Sequence, residues 1–182
     1  MISLCMICGN EEAIIEQCLD SAMGAFDELS LVRAVGTKEP DSTVALAREW
    51  CERNDKKFRF QEYFNEAHFP HVDDFAAARN QSFYMARGEL LLWLDCDDYL
   101  DEINCSRIRE LESNIDYRGF YCPYVIDEVQ GAQTIRERLI RRGSGRWKNA
   151  IHETCVITGP TCQVPLIIVR HREHAHKHQS SA

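Results

Sequence analysis

Three carboxylates within four residues, Asp95-Cys96-Asp97-Asp98, end an otherwise apolar run, Leu90-Leu91-Leu92-Trp93-Leu94. Acids are costly inside a buried strand, but the carboxyl ends of parallel strands form the crevice where α/β proteins bind ligands. Hard divalent cations such as Mg2+ or Mn2+ take oxygen ligands, often one or two carboxylates plus substrate phosphates. In an extended chain residues 95 and 97 point the same way, so their carboxylates can share one cation. The alternative is a helix cap followed by acidic surface.

The elements that must carry this cluster follow from periodicity. Residues 2–7 form a continuous apolar strand, as in a sheet covered on both faces. Asn10 is placed to cap a helix, with Glu11 and Glu12 in a first turn where the helix dipole favours anions. Ile14, Ile15, Cys18, Leu19 and Ala22 give that helix one apolar face. Strands are predicted at 29–35 and 58–63, with a helix between them opened by Asp41 or Ser42. This β-α-β-α-β series implies parallel strands joined by right-handed crossovers. After a long segment, 64–73, with two histidines and a proline, Asp74 caps a helix over 75–87 that Gly88 ends. Strand 89–94 then runs into the acidic cluster, and a helix over 103–113 follows. Beyond Gly119, strands are predicted at 121–127, 134–140, 151–157 and 164–169, with turns at Gly131, Gly143-Ser144-Gly145 and Gly159-Pro160. The chain reads as one α/β domain over 1–172, wound α/β to about residue 100 and mostly β beyond it, with a polar tail at 173–182.

Composition excludes several functions. A length of 182 residues suggests one domain, and 45% apolar residues suffice for its core. No run of about eighteen apolar residues occurs, so no transmembrane segment is expected. Met-Ile-Ser-Leu lacks the basic region of a signal peptide, which points to a cytoplasmic protein. Nine cysteines, an odd number spread through apolar runs, favour reduced thiols. Cys5 and Cys8 make a C-x-x-C, but an odd spacing within a strand sends them to opposite faces, which favours a structural role over a metal or redox site. The net charge of −8 disfavours general nucleic-acid binding. A basic stretch of Arg136, Arg138, Arg141, Arg142, Arg146 and Lys148 either meets an anionic donor or acceptor or forms a solvated hairpin face. His174, His176 and His178 read as a solvated tail, since their spacing fits neither a helical face nor a closed tetrahedral zinc set.

Several segments together resemble the family 2 glycosyltransferases of the GT-A fold. Ser3-Leu4-Cys5-Met6-Ile7 with Asn10-Glu11-Glu12 resembles that family's first strand and N-E-E turn. Asp74-Phe75-Ala76-Ala77-Ala78-Arg79-Asn80 resembles its D-F-A-x-A-R-N helix. Gly88-Glu89 and Leu92-Trp93-Leu94-Asp95-Cys96-Asp97-Asp98 resemble its G-(D/E) and L-D-x-D-(D/E) elements. Trp147 with His152-Glu153 resembles a W…H-E element of one branch. The ordered set at these spacings is more specific than any piece of it.

The resemblance implies a Rossmann-type three-layer α/β/α domain, with a mostly parallel sheet and a smaller β-rich second half. The first hundred residues would bind a nucleotide sugar, and 101–172 would face the acceptor. Asp95 would hold the ribose or a water on the metal, and Asp97 would ligate the Mn2+ or Mg2+ that bridges the donor diphosphate. His171 would add a further metal or phosphate contact. Arg79 would approach the diphosphate, and Glu11 or Glu12 the nucleoside. Glu153 would be the catalytic base, with Asp127 and Glu128 next in line. Each residue also has a structural reading: Arg79 paired with Asp73 or Asp74, Glu11 and Glu12 as ordinary first-turn acids, His152 as a hydrogen-bonded histidine, and Glu153 paired with Arg146.

The sequence departs from the family after the second strand. Members usually read V-D-T-G-S there, with the Asp on the base, and this chain reads Val32-Arg33-Ala34-Val35-Gly36-Thr37. A UDP-sugar is nevertheless the default donor. The acceptor is open: polysaccharide, lipid carrier, peptide or modified nucleobase. The chain stops soon after His171, so a partner, an oligomer or the acceptor itself is expected to complete the site. One alternative is a degenerate domain that binds a nucleotide or sugar without turnover. A sugar-nucleotide-forming nucleotidyltransferase ranks lower, because Cys8-Gly9-Asn10-Glu11 is not a glycine-rich phosphate loop.

Overall fold

The computed structural model describes residues 1–66, 69 and 72–172. The tail at 173–182, with His174, His176 and His178, and His68, Pro70 and His71 in the long connection lie outside the described residues. Every residue of β1 (Ile2–Cys8) is buried, as a continuous apolar run requires of a strand packed on both faces. Ile2, Leu4, Met6 and Cys8 join the main core, while Cys5 and Ile7 join two clusters on the other face. Cys5 and Cys8 therefore face opposite ways, and all nine cysteines are free thiols.

β2 (Glu28–Val35) and β3 (Lys57–Phe64) extend the sheet in parallel from one side of β1, and β4 (Leu90–Trp93) lies parallel on its other side. The crossovers run through α1 (Ile15–Ala22), α2 (Thr43–Arg53) and α3 (Phe75–Met85). The chain winds outward from β1 to β3, then returns to place β4 on the opposite side. The carboxyl ends of β1 and β4 thus flank a topological switch point. One sheet face is covered by α1, α2 and α4 (Glu102–Glu110), the other by α3. No helix among the described residues is long and apolar enough to cross a membrane.

The second half adds β5 (Asp98–Tyr99), β6 (Gly119–Asp127), β7 (Ala132–Arg141), β10 (Thr161–Gln163) and β11 (Val169–His171) to the same sheet. Its order is β3-β2-β1-β4-β7-β6-β11-β5, with β10 also beside β6. β7 runs antiparallel to both β4 and β6. A separate ribbon, β8 (Gly145–Lys148) with β9 (Thr154–Ile157), packs its Trp147 and Cys155 against α3.

Several boundaries differ from the sequence reading. Asn10 does not cap α1, which starts later behind Ile14; its amide instead donates to Glu39 O at 2.7 Å, tying two loops together. Asp74 does cap α3, accepting from Ala77 N at 2.8 Å, but the helix ends at Met85. The strand expected over 164–169 is replaced by β10 and β11, because a turn between Val164 and Ile167 interrupts the apolar run. The strand expected from 151 begins at Thr154. The short β5 and β8 went unread because two to four residues carry too little periodicity.

Gly88 is not a left-handed helix cap. A Cβ there would lie 2.6 Å from Ser3 N and 2.8 Å from Met1 O, so the residue is glycine to let the α3–β4 loop touch β1. That contact is held by Glu28, whose buried carboxylate accepts from Ser3 Oγ (2.7 Å), Arg87 N (2.7 Å) and Arg59 Nε (2.6 Å). Burial pushes the Glu28 carboxyl up, but bonds from the Arg87 amide, Ser3 and Arg59 outweigh it and hold it below the usual range. A native acid with a depressed pKa stabilises fully above its unfolded value, about 4.3, and this is lost as pH falls through the folded value. Glu28→Gln should therefore lower stability at pH 7 by about 1.5–3 kcal/mol and reduce the loss of stability between neutral pH and pH 3. Urea titrations across that range measure both; an unchanged acid slope in the variant would place the linkage elsewhere.

Candidate active site

A cleft of about 510 Å³ opens at the switch point, between Cys8–Glu11 after β1, Ala34–Lys38 after β2, and Asp95–Asp97 after β4. Val72 and Phe75 supply an apolar wall. The two outer loops are laced together: Glu11 N donates to Thr43 Oγ1 at 2.7 Å, and Thr43 Oγ1 donates to Asp41 Oδ1 at 2.5 Å. Glu11 lines the cleft, whereas Glu12 accepts from Ser42 N at 3.0 Å and serves the lacing. Burial, then the charges of Asp97, Asp41 and Asp95, push the Glu11 carboxyl up against the opposing Lys38. The concentration of negative charge here is one that a cation would relieve.

The chain does not stay extended through the acidic cluster. Asp98 N donates to Asp95 O at 3.0 Å and Asp95 N to Asp98 Oδ2 at 2.9 Å, which closes a turn. The turn ends the extended geometry on which a shared cation was expected, and the two carboxylates have different partners. Asp97 Oδ2 lies 3.6 Å from His171 Nδ1, while Asp95 Oδ1 accepts from Arg79 Nη2 at 2.8 Å. His171 arrives because β11 pairs with β5, setting His171 opposite Asp98. Among the described residues, Asp97, Asp98 and His171 bring ligand atoms within 4.8 Å of one another. Asp98 commits Oδ2 to a buried ion pair with Arg138 at 2.7 Å and keeps Oδ1 without a hydrogen-bond partner among the described residues, whereas Asp97 and His171 are both part-exposed and can face a cation. A carboxylate and an imidazole suit Mn2+ or Mg2+ completed by phosphate and water.

Arg79 does not pair with Asp73 or Asp74. It is 4% exposed, donates from Nε to Glu153 Oε1 at 2.9 Å and from Nη2 to Asp95, and lies over the Trp93 and Trp147 rings at 4.3 and 5.2 Å. One guanidinium thus bridges Asp95 and Glu153, acids far apart in the chain, through two hydrogen bonds. Burial pushes the Asp95 carboxyl up, but Arg79 and then Arg138 outweigh it and hold it low. Glu153 reaches this position by an unusual route. Asn149 and His152 both take left-handed backbone, at φ 70° and 56°, and fold the β8–β9 loop back over α3. Phe75 N donates to Ala150 O at 2.9 Å, and Asn80 exchanges two 2.9 Å bonds with the Trp147 backbone. His152 itself is exposed, so its contribution here is the backbone turn.

The basic stretch is divided between core and surface: Arg138 and Arg141 are buried, Arg136 is half-buried, and Arg142, Arg146 and Lys148 are exposed. Arg138 is fully buried, and Arg141 is buried with Nη2 on the carbonyls of Leu111 and Glu112, both at 2.9 Å. Arg142 pairs with Glu89 at the surface, and only Arg146 and Lys148 stand free of the core. Arg138 is the buried charge hardest to foresee, because Arg136, Glu137 and Arg138 stand together between Ile135 and Leu139-Ile140 and nothing local tells which of them turns inward.

Residues 3–162 match the family profile described as Glycosyl transferase family 2. The chain belongs to that family. This glycosyl transferase family 2 domain is 32% identical over 157 residues to a TPR repeat-containing protein of Synechococcus elongatus, covering 84% of this chain and 34% of the relative. The chain spans about a third of the length of the curated relatives it matches. Its fold is shared with S. aureus TarS in complex with UDP-GlcNAc, at TM-score 0.67 and 14% identity, over 100% of this chain and 61% of that one. It is also shared with the mannosyltransferase PcManGT of Pyrobaculum calidifontis in complex with GDP-Man and Mn2+, at TM-score 0.62 and 15% identity, over 97% and 58%.

Proposed function

We propose that this domain is an inverting, metal-dependent glycosyltransferase that moves a sugar from a nucleotide-sugar donor to an acceptor hydroxyl or equivalent nucleophile. The observation that carries the reading is the arrangement at the switch point. Asp97 and His171 face each other at the cleft, and Asp95 and Glu153 hang from the same buried arginine.

In this reading the cleft takes the nucleoside against Val72 and Phe75, with Glu11 beside it. Asp97 and His171 would hold the divalent cation, whose chemistry there would be to neutralise charge on the departing nucleoside diphosphate. Asp95 faces the ribose or a water beside the cation. Arg79 keeps Asp95 and Glu153 in register, with Nη2 on Asp95 and Nε on Glu153. Glu153 accepts the proton of the attacking acceptor. Attack from its side, opposite the leaving group, inverts the anomeric centre.

UDP remains the first donor to test, although the acid expected on β2 is replaced. Arg33 there is turned to Glu62, and Ala34 lines the cleft instead. Structures of the same fold hold UDP-GlcNAc in TarS and GDP-Man in PcManGT, so the panel must span bases. The experiment is thermal shift with UDP, GDP, ADP and CDP, each with and without Mn2+, followed by release of that diphosphate from matching sugar donors. Binding raises the melting point with the logarithm of ligand saturation. One diphosphate should stabilise the protein only with Mn2+, and its sugar donors should release it. Binding without release would favour a degenerate binding domain, and no binding across the panel would end the donor reading.

A further inference from the structure

Arg138 is the extra residue of a β-bulge. Phe120 pairs with Leu139 and Tyr121 with Glu137, so β7 skips a partner at Arg138. Bulges re-aim side chains, often beside active sites. This one sends a guanidinium under the acidic turn, where Nη1 meets Asp98 Oδ2 at 2.7 Å with both side chains at 0% exposure. The guanidinium lies between the Trp93 and Tyr124 rings, at 3.9 and 4.3 Å from their centres. Its Nε and Nη2 have no hydrogen-bond partner among the described residues.

As a device for stability this is a poor choice. A buried ion pair must offset a large desolvation cost, and replacing both partners with apolar groups is often neutral or stabilising. The rings of Trp93 and Tyr124 that flank the guanidinium are surroundings an apolar side chain also suits. What the pair does uniquely is local. The oxygen of Asp98 that meets Arg138 also accepts from Asp95 N at 2.9 Å, and that bond closes the turn on which Asp97 sits. The turn is pinned a second time where Arg172 N donates to Asp97 O at 2.7 Å.

We propose that the Arg138–Asp98 pair is a positioning device: from its bulge Arg138 fixes Asp98, Asp98 fixes the Asp95–Asp98 turn, and the turn sets the affinity of Asp97 and His171 for a divalent cation. The last step rests on the metal reading above. Groups that orient metal ligands typically cost ten- to a hundredfold in affinity when removed.

The test uses the full chain and Mn2+ alone, with free Mn2+ counted by electron paramagnetic resonance and backbone amides followed by hydrogen exchange. Arg138→Met should weaken Mn2+ binding by about ten- to a hundredfold. If Asp98 were a cation ligand held back by Arg138, freeing it would tighten binding, so tighter or unchanged Mn2+ affinity overturns the proposal. Because this variant leaves a lone buried carboxylate and can fail to fold, the paired variant Arg138→Met with Asp98→Leu is measured beside it. It should regain the melting temperature, while Mn2+ affinity stays low and the Asp95 amide exchanges fast with Leu92 still protected. Wild-type Mn2+ affinity or wild-type Asp95 protection in the paired variant overturns the proposal. If the wild-type protein binds no Mn2+, the metal reading fails and exchange at Asp95 alone decides the positioning claim.

Discussion

Asp97→Asn should lower sugar transfer by at least about a hundredfold while leaving the melting temperature nearly unchanged. The carboxylate lies at the apex of the turn after β4, with 30% of its side chain exposed. Among the described residues its one ion-pair contact is His171 at 3.6 Å, a part-exposed pair of the kind worth well under about 1 kcal/mol to stability. The bond that uses this residue structurally comes from Arg172 N to the Asp97 carbonyl, and the substitution does not touch it. Asparagine keeps the size and one oxygen but loses the charge. A cation stabilises the developing negative charge of a departing diphosphate by several kcal/mol, and about 3 kcal/mol is already more than a hundredfold in rate. Turnover measured against Mn2+ concentration gives the effect and shows whether excess metal restores it. Full turnover in the variant, or in wild-type protein held in EDTA, would remove the metal from the mechanism.

How much of this was legible in the sequence depends on the range of the interactions involved. The parallel half was readable because its strands are buried on both faces and its helices carry one apolar stripe, as in β1 and α1. The Asp74 cap was readable because a cap acts over three residues. The acidic cluster stood out because carboxylates at the end of a Leu-rich strand have no role in a core. The partners of these acids were not readable. Arg79 reaches Glu153 across 74 positions, and Arg138 reaches Asp98 across 40. Pairing at that distance is set by sheet order and by one bulge, neither of which leaves a local period. Reading Asp95 and Asp97 as same-side residues of an extended strand failed for a simpler reason. It assumed extended backbone where hydrogen bonds between Asp95 and Asp98 make a turn. The placement of Glu153 likewise depends on two left-handed residues, Asn149 and His152, that no hydrophobic pattern announces.

Glu153→Gln should lower transfer by about a hundred- to ten-thousandfold, the range of a general base, while donor affinity stays close to wild type. Glu153 follows the loop of the β8–β9 ribbon and bonds Arg79 of α3, and it does not line the cleft into which the proposed donor fits. The structure replaces the pairing with Arg146, considered from the sequence, by a bond to Arg79, and this sharpens the test. Glutamine retains an oxygen to accept from Arg79 Nε, but Arg79 is then left with Asp95 as its one anionic partner. A buried arginine that loses one of two carboxylates should cost about 1–3 kcal/mol, which for a chain of this size lowers the melting temperature by several degrees. A purely structural acid predicts that same fall, so melting temperature cannot separate the two readings. Turnover per folded molecule can. Assayed well below the melting transition, a structural acid leaves turnover at wild-type level, and a base does not. Donor affinity supplies the control: if it falls together with turnover, the change has travelled through Arg79 to Asp95 and disturbed the donor side. If turnover survives intact, the proton must go to another acid. Glu128 and Asp127, at the end of β6 beside His171, are then the groups to replace; each has one oxygen engaged, Asp127 Oδ1 by the Val129 and Gln130 amides at 2.8 Å and Glu128 Oε1 by Arg170 Nε at 3.0 Å, and keeps the other for a proton.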